Sequence, residues 1–308
     1  MMLKSDHSIA GKIILGTANF GSKISVNEGI KIIEHAYLLG INKIDTADSY
    51  ANAESIIGEA IYSMRNMFQL ATKVGNPTKL GSGLNPTHIR RSLEESLNRL
   101  RTDFIDIYYV HNFDYSTDLH STLLELDRLY GQYHFKKLGC SNFNLHQLIK
   151  SNCVLNEFSN LRFTYCQPVF NILEYSYIYD FLKYTKGNNI ISCGYSPLAG
   201  GVLSGKYING IQNGSRAEEY DGADPKTAGF IPKINWLSNR IARKIQEIAS
   251  TYNLTAAQLS LGWALRNELI DHVIIGVSSL DSFKSFVDVD VPLEAIDEVV
   301  FSLGLRRS

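Results

Sequence analysis

Asp45, Tyr50, Lys73 and His111 are residue types that together can protonate a developing alkoxide, and all four fall at one kind of place in the chain. Asp45 ends the apolar run 41–45, and Tyr50 follows it on a polar loop. Lys73 ends the run 68–73, and His111 directly follows the run 104–110. A free phenol has a pKa of about 10, too high for easy transfer at neutrality. A nearby ammonium favours the phenolate and should lower that value, while a carboxylate beside the lysine keeps it charged and oriented. A histidine alongside can donate a hydrogen bond to a carbonyl oxygen and share the proton transfer. Taken singly, each residue has an ordinary explanation. A strand-end Asp usually caps a turn, Tyr50 is one of 17 tyrosines, and a lone Lys or His is commonly structural. They acquire a joint meaning only if the fold brings their strand ends together.

The remaining pattern supplies such a fold. Short apolar runs at 12–15, 41–45, 68–73, 104–110, 135–139, 163–167, 190–195 and 272–275 read as eight strands. Between them lie helical periodicities near 27–40, 53–63, 87–100, 118–130, 145–153, 176–186, 236–252 and 255–266, with two more after the eighth strand. Asn27 is placed to cap the first of these and Gly40 to close it. A segment at 200–232, rich in Gly and charge, reads as a long loop after the seventh strand. Strand and helix alternating without a composition break predict one (β/α)8 TIM barrel over residues 1–308. A doubly wound dinucleotide fold would want GxGxxG after the first strand, and the turn here is GTANFG. Barrel strands present their carboxyl ends on one rim, so the four reactive side chains are expected to converge there.

Composition narrows the class. Of 308 residues 44% are hydrophobic and 20% charged, with a formal net charge of −1, which points to neither nucleic acid nor an anionic membrane as partner. No apolar run is long enough for a membrane span. The first ten residues do not read as a signal peptide. Cys140, Cys153, Cys166 and Cys193 form no CxxC pair and have no His at ligand spacing. Reduced core thiols in a cytoplasmic protein are expected, with neither disulfide nor metal.

The chain resembles the aldo-keto reductase family through LGTANFG (15–21), GINKIDTADSYANAESIIGEAI (40–61), ATK (71–73), RRSLEESLNRLRTDFIDIYYVH (90–111), KKLGCSNF (136–143), YSPLAGGVLSGKY (195–207) and HVIIGVSS (272–279). The resemblance spans nearly the whole chain. It implies hydride transfer between a nicotinamide and an aldehyde or ketone, with Tyr50 as general acid, Lys73 and Asp45 tuning it and His111 orienting the carbonyl. It further implies that Ser141, Asn142 and Gln167 hold the nicotinamide amide and that Tyr195 stacks on the ring. Gly16, Thr17, Asp45, Ser196, Leu198, Lys206, Arg216, Gly276, Ser278 and Ser282 complete the implied cofactor contacts, Lys206 and Arg216 at the pyrophosphate.

The adenosine end departs from the family pattern. Ser278 stands at the position of a basic residue, Ser282 at that of a Gln, and Phe286 at that of an Asn. Serines at a helix N-terminus still suit a phosphate, so NADPH is the expected cofactor, with NADH the alternative. Phe20, Phe113 and Phe170 follow strand ends and are expected to wall a substrate pocket shared with Tyr50 and His111. Only Arg306-Arg307-Ser308 follow Leu305, which suggests an open mouth suited to a small-molecule carbonyl such as a keto sugar, a sugar nucleotide or an aldose. A monomer is the default for this barrel. The alternative from another class is a nicotinamide-binding regulatory or redox-sensing subunit with negligible turnover.

Overall fold

A parallel strand can rejoin its neighbour only through a long crossover, and a helix packed on the sheet supplies it. In the computed structural model, which describes residues 7–211, 213, 216–219, 233–287 and 290–306, this unit repeats until the sheet closes. The strands are β1 (Ile13–Gly16), β2 (Lys43–Asp45), β3 (Gln69–Val74), β4 (Ile105–Val110), β5 (Phe135–Ser141), β6 (Phe163–Gln167), β7 (Ile191–Gly194) and β8 (His272–Gly276). They pair in sequence order, all parallel, and β1 meets β8 with Ile13 opposite Val273 and Gly16 opposite Gly276. The fold is a (β/α)8 barrel.

A short α1 (His7–Lys12) precedes the first strand. Helices α2 (Val26–Leu38), α3 (Ala53–Ile61), α4 (Pro86–Leu100), α5 (Leu119–Gly131), α6 (Leu145–Phe158) and α7 (Tyr175–Gly187) form successive crossovers. The connection from β7 to β8 carries α8 (Arg216–Glu219), α9 (Trp236–Thr251) and α10 (Ala256–Arg266), and α11 (Leu280–Val287) and α12 (Leu293–Ser302) finish the chain. Much of the expected long loop, residues 220–232 in particular, lies outside the described residues.

Local chemistry explains where the boundaries differ from the sequence reading. Helix α2 begins earlier than expected because Ser25, not Asn27, takes the cap and accepts the Glu28 amide at 3.3 Å. Helix α6 runs on to Phe158, stabilised at its start by a capping box between Asn144 and Gln147. Cys153 on this helix is exposed, whereas Cys140, Cys166 and Cys193 are buried. Among the described residues, no helix is long and apolar enough to cross a membrane.

The apolar residues divide into two sets. Most lie between the strands and the helices, and a smaller set of Ile14, Ala71, Ile107, Tyr109, Tyr165, Cys193 and Ile274 fills the barrel interior. Tyr109 needs its neighbour to be glycine. A Cβ on Gly139 would lie 2.4 Å from the Tyr109 ring. Gly139→Ala should therefore cost about 3 kcal/mol through forced overpacking, read as a lower urea midpoint. In a Tyr109→Leu background the same change should cost much less, and an equal cost in both backgrounds would rule the ring contact out as its cause.

Candidate active site

Side chains alternate along a strand, so the next inward position beyond the apolar plug is two residues on. That step leads from Ala71 to Lys73, from Gly139 to Ser141 and from Tyr165 to Gln167, while β2 ends on Asp45. The plug is thus topped by a polar layer at the carboxyl ends of the strands. Lys73, with no exposed surface, extends its Nζ to Asp45 Oδ2 at 2.6 Å and to the Thr46 carbonyl at 2.7 Å. Gln167 Nε2 donates to the other Asp45 oxygen at 2.8 Å. The Asp45 carbonyl in turn receives the Thr17 amide at 3.1 Å and the Thr17 hydroxyl at 2.9 Å. Every one of these contacts joins two different strand ends.

Tyr50 reaches this layer from the β2–α3 loop. It lies beside Lys73, whose Nζ is 5.0 Å from the phenol ring centre. The His111 ring stands edge-on to Tyr50, with centroids 5.9 Å apart and planes at 80°. The His111 amide donates to the Val74 carbonyl at 2.9 Å, and its carbonyl accepts Asn142 Nδ2 at 3.0 Å. Asp45, Tyr50, Lys73 and His111 therefore do meet around one point.

Burial dominates the electrostatics here. For Lys73, desolvation favours the neutral amine, but the Asp45 carboxylate and Tyr50 outweigh it and the pKa is raised, so the ammonium persists. Tyr50 corrects a sequence expectation. Burial raises its pKa, and the opposing pull of Lys73 is too small to bring the net value below that of free tyrosine. Burial, aided by the Lys73 charge, pushes His111 down to about 3. Its ring is neutral throughout the physiological range, and its buried Nδ1 makes no hydrogen bond within the described residues.

A second group of side chains lies on the arc from β5 to β8. Ser141 Oγ donates to the Gln167 carbonyl at 2.9 Å. Asn142, in the left-handed region with φ 58°, accepts the Tyr195 hydroxyl on its Oδ1 at 2.7 Å. Tyr195 is half-buried, and burial raises its pKa. Ser196, also left-handed at φ 57°, gives its carbonyl to Asn171 Nδ2 at 3.1 Å, and Leu198 beyond it is half-buried. Gly276 is exposed, and a Cβ there would meet no atom within 4 Å. Ser278 and Ser279 direct their amides at Ser282 Oγ, at 3.2 and 3.1 Å, at the start of α11. Lys206 is exposed. Arg216 opens α8, and its side chain lies outside the described residues.

Several expected site residues are engaged in packing or in backbone hydrogen bonds. Thr17 and Gly16 are buried, and the Thr17 hydroxyl donates to the Asp45 carbonyl, bracing the end of β2. Phe20 is fully buried, packed where a Cβ on Gly29 would touch its ring at 3.1 Å. Phe170 is likewise buried, stacked on Trp263 at 5.2 Å. Phe113 packs on Phe143 and Tyr115 and lines a small cavity with Leu119 and Leu123, outside the barrel wall. Phe20 and Phe170 are thus closed off in the core, whereas Phe113 is half-buried. Phe286 lines a small, largely apolar cavity together with Leu261 and Leu265 of α10.

The comparisons with known proteins agree with this geometry. The model of the Aldo/keto reductase family matches residues 12–295. The chain belongs to this family. Its members typically use nicotinamide cofactors, and the family supports a general oxidoreductase role. Among curated relatives, the L-glyceraldehyde 3-phosphate reductase of Escherichia coli K12 is 28% identical over 92% of this chain and 83% of its own length. A protein described as a probable voltage-gated potassium channel subunit beta from Arabidopsis thaliana is also 28% identical, over 93% of this chain and 92% of its own. The same aldo/keto reductase frame thus carries different printed descriptions at equal distance from this sequence.

Sequence reasoning missed three supports of the site. The Thr46 carbonyl on Lys73 leaves no trace in residue type. The Gln167–Asp45 bond joins residues 122 positions apart, which only barrel closure brings together. Asp48, three residues after Asp45, carries a carboxyl whose burial no spacing announces.

Proposed function

We propose that this protein is an NAD(P)H-dependent reductase that converts an aldehyde or ketone to an alcohol, with Tyr50 as the general acid. What carries this reading is the fully buried Lys73, which pairs with the Asp45 carboxylate at 2.6 Å and holds its Nζ 5.0 Å from the Tyr50 ring centre. A cation held in that position stabilises the phenolate left behind when Tyr50 donates its proton. The neutral His111 ring, edge-on to Tyr50, offers an N–H to the same carbonyl oxygen without adding a second charge beside Lys73.

The residues on the β5–β8 arc suit a nicotinamide dinucleotide. Ser141, Asn142 and Gln167 offer amide and hydroxyl partners for a carboxamide. The half-buried Tyr195, fixed by Asn142, offers a ring face for stacking. Open space at Gly276 and the serine-rich start of α11 continue toward the phosphate end. The dinucleotide, when bound, supplies the hydride that adds to the carbonyl carbon. Tyr50 then completes the alcohol by protonating the oxygen. NADPH is the favoured cofactor and a sugar or sugar derivative the favoured substrate class. The cytoplasm is the proposed location.

A matrix of NADPH and NADH against aldehydes, ketones and keto sugars tests this proposal. The expected result is a raised melting temperature with NADPH and consumption of reduced cofactor with at least one carbonyl class. Thermal stabilisation without turnover across the panel would favour a regulatory or redox-sensing subunit. No stabilisation by either dinucleotide would remove the cofactor assignment.

A further inference from the structure

One side chain joins the two halves of the site across the barrel mouth. Asn142 follows β5 at φ 58°, in the left-handed region that asparagine tolerates better than most residues. Its side-chain amide is engaged at both ends. Oδ1 accepts the Tyr195 hydroxyl at 2.7 Å, and Nδ2 donates to the His111 carbonyl at 3.0 Å. A backbone carbonyl only accepts, so the nitrogen must face His111 and the oxygen the phenol. His111 follows β4 and Tyr195 follows β7, so this one amide ties together the ends of β4, β5 and β7. The Tyr195 backbone is pinned already, its amide on the Pro168 carbonyl at 3.0 Å and its carbonyl on the Phe170 amide at 2.9 Å. The His111 amide is likewise held by the Val74 carbonyl at 2.9 Å. What is left to fix is the Tyr195 phenol and the carbonyl side of His111, and Asn142 holds both. The His111 imidazole makes no hydrogen bond at Nδ1 within the described residues, so its place depends on that backbone.

We propose that Asn142 is a positioning residue that couples the nicotinamide platform to the carbonyl-orienting histidine, fixing Tyr195 and His111 relative to one another for hydride transfer. The proposal rests on the nicotinamide-dependent reduction proposed above. Oδ1 keeps a second lone pair and Nδ2 a second N–H, so Asn142 can hold a carboxamide without breaking this bridge. Hydride transfer needs donor and acceptor close and aligned, and small misplacements slow it steeply. The Tyr195 hydroxyl has no part in the proposed chemistry. Its removal should nevertheless slow the hydride step about three- to tenfold, the scale of one ordinary hydrogen bond, because the bridge to His111 loses its anchor.

Tyr195→Phe keeps the ring and removes only the bond to Asn142. Single-turnover reduction of a carbonyl from the panel above, with NADPH and with NADPH deuterated at the transferred position, reads the hydride step itself. The variant should show that three- to tenfold loss, while its NADPH affinity by fluorescence titration stays within about twofold because the stacking face remains. Two double-mutant cycles then locate the cause. Asn142→Gly deletes the amide without backbone strain, since glycine adopts positive φ freely. His111→Ala deletes the imidazole that the bridge positions. In either background, adding Tyr195→Phe should change the hydride rate by less than about twofold. The cycles are independent, so one variant that fails to fold leaves the other decisive. A purely structural tie would lower the melting temperature and leave the single-turnover rate and isotope effect at wild-type values. That result, or losses that multiply in either double variant, overturns the coupling and leaves the role of Tyr50 intact. A wild type that transfers hydride to no carbonyl of the panel overturns both this proposal and the reading beneath it.

Discussion

Tyr50→Phe is expected to lower kcat/KM for carbonyl reduction by at least about 10²-fold, with dinucleotide affinity nearly unchanged. The change removes one oxygen from a half-buried ring. Lys73 keeps its bonds to Asp45 and to the Thr46 carbonyl, so the polar layer stays assembled. The ring contact with His111 at 5.9 Å also survives, because it needs only the aromatic carbons. What disappears is the proton destined for the carbonyl oxygen. The loss should therefore fall on kcat, with a small effect on KM, because the phenol acts in the transition state more than in ground-state binding. A parallel thermal shift with NADPH should match that of the wild type. A variant retaining a tenth or more of the activity would assign the proton to another group, with His111 the next candidate by position.

How much of this was legible in the sequence follows from what period and spacing can encode. Parallel barrel strands present their carboxyl ends on one rim, so Asp45, Lys73, Ser141 and Gln167, at strand ends, could be placed together from sequence. Short apolar runs and helical periodicity likewise gave the closed barrel. The phenylalanines illustrate the limit. Phe20, Phe113 and Phe170 each follow a strand, but once the strand ends alternation no longer says which side of the wall a ring will take. The burial of Phe170 is decided by a partner far along the chain, Trp263, and that of Phe20 by the room left at Gly29 on the next helix. Tyr50 shows a second limit. Its neighbours could be named from sequence, which predicts a lowered pKa, but desolvation depends on how completely the loop is covered, and it outweighs the Lys73 charge. Asp48 escaped for the same reason, since a loop acid is ordinarily solvated.

The second large effect concerns stability. Lys73→Met removes a cation without exposed surface and leaves the Asp45 carboxylate with only the Gln167 amide on its side chain. Breaking one side of a buried pair costs about 3–5 kcal/mol, because the remaining charge stays desolvated. For a chain of this length that corresponds to a melting temperature lower by roughly 10 °C. Protonating Asp45 relieves the unpaired charge, so the native state of the variant gains protons as pH falls. Its stability deficit should accordingly be larger at about pH 8 than at about pH 5. The raised pKa of Lys73 in the wild type has the opposite consequence: its contribution is fully present below the ordinary lysine value and is lost only above it. The wild type should therefore show no comparable loss from this pair between those two pH values. Adding Asp45→Asn removes the orphaned charge and keeps a partner for Gln167, so the double variant should be more stable than Lys73→Met alone despite carrying one more substitution. Chemical denaturation of the wild type, Lys73→Met, Asp45→Asn and the double variant at both pH values completes the cycle. A deficit independent of pH, together with a double variant no more stable than the single one, would show that Lys73 stabilises the barrel by filling space rather than by neutralising Asp45.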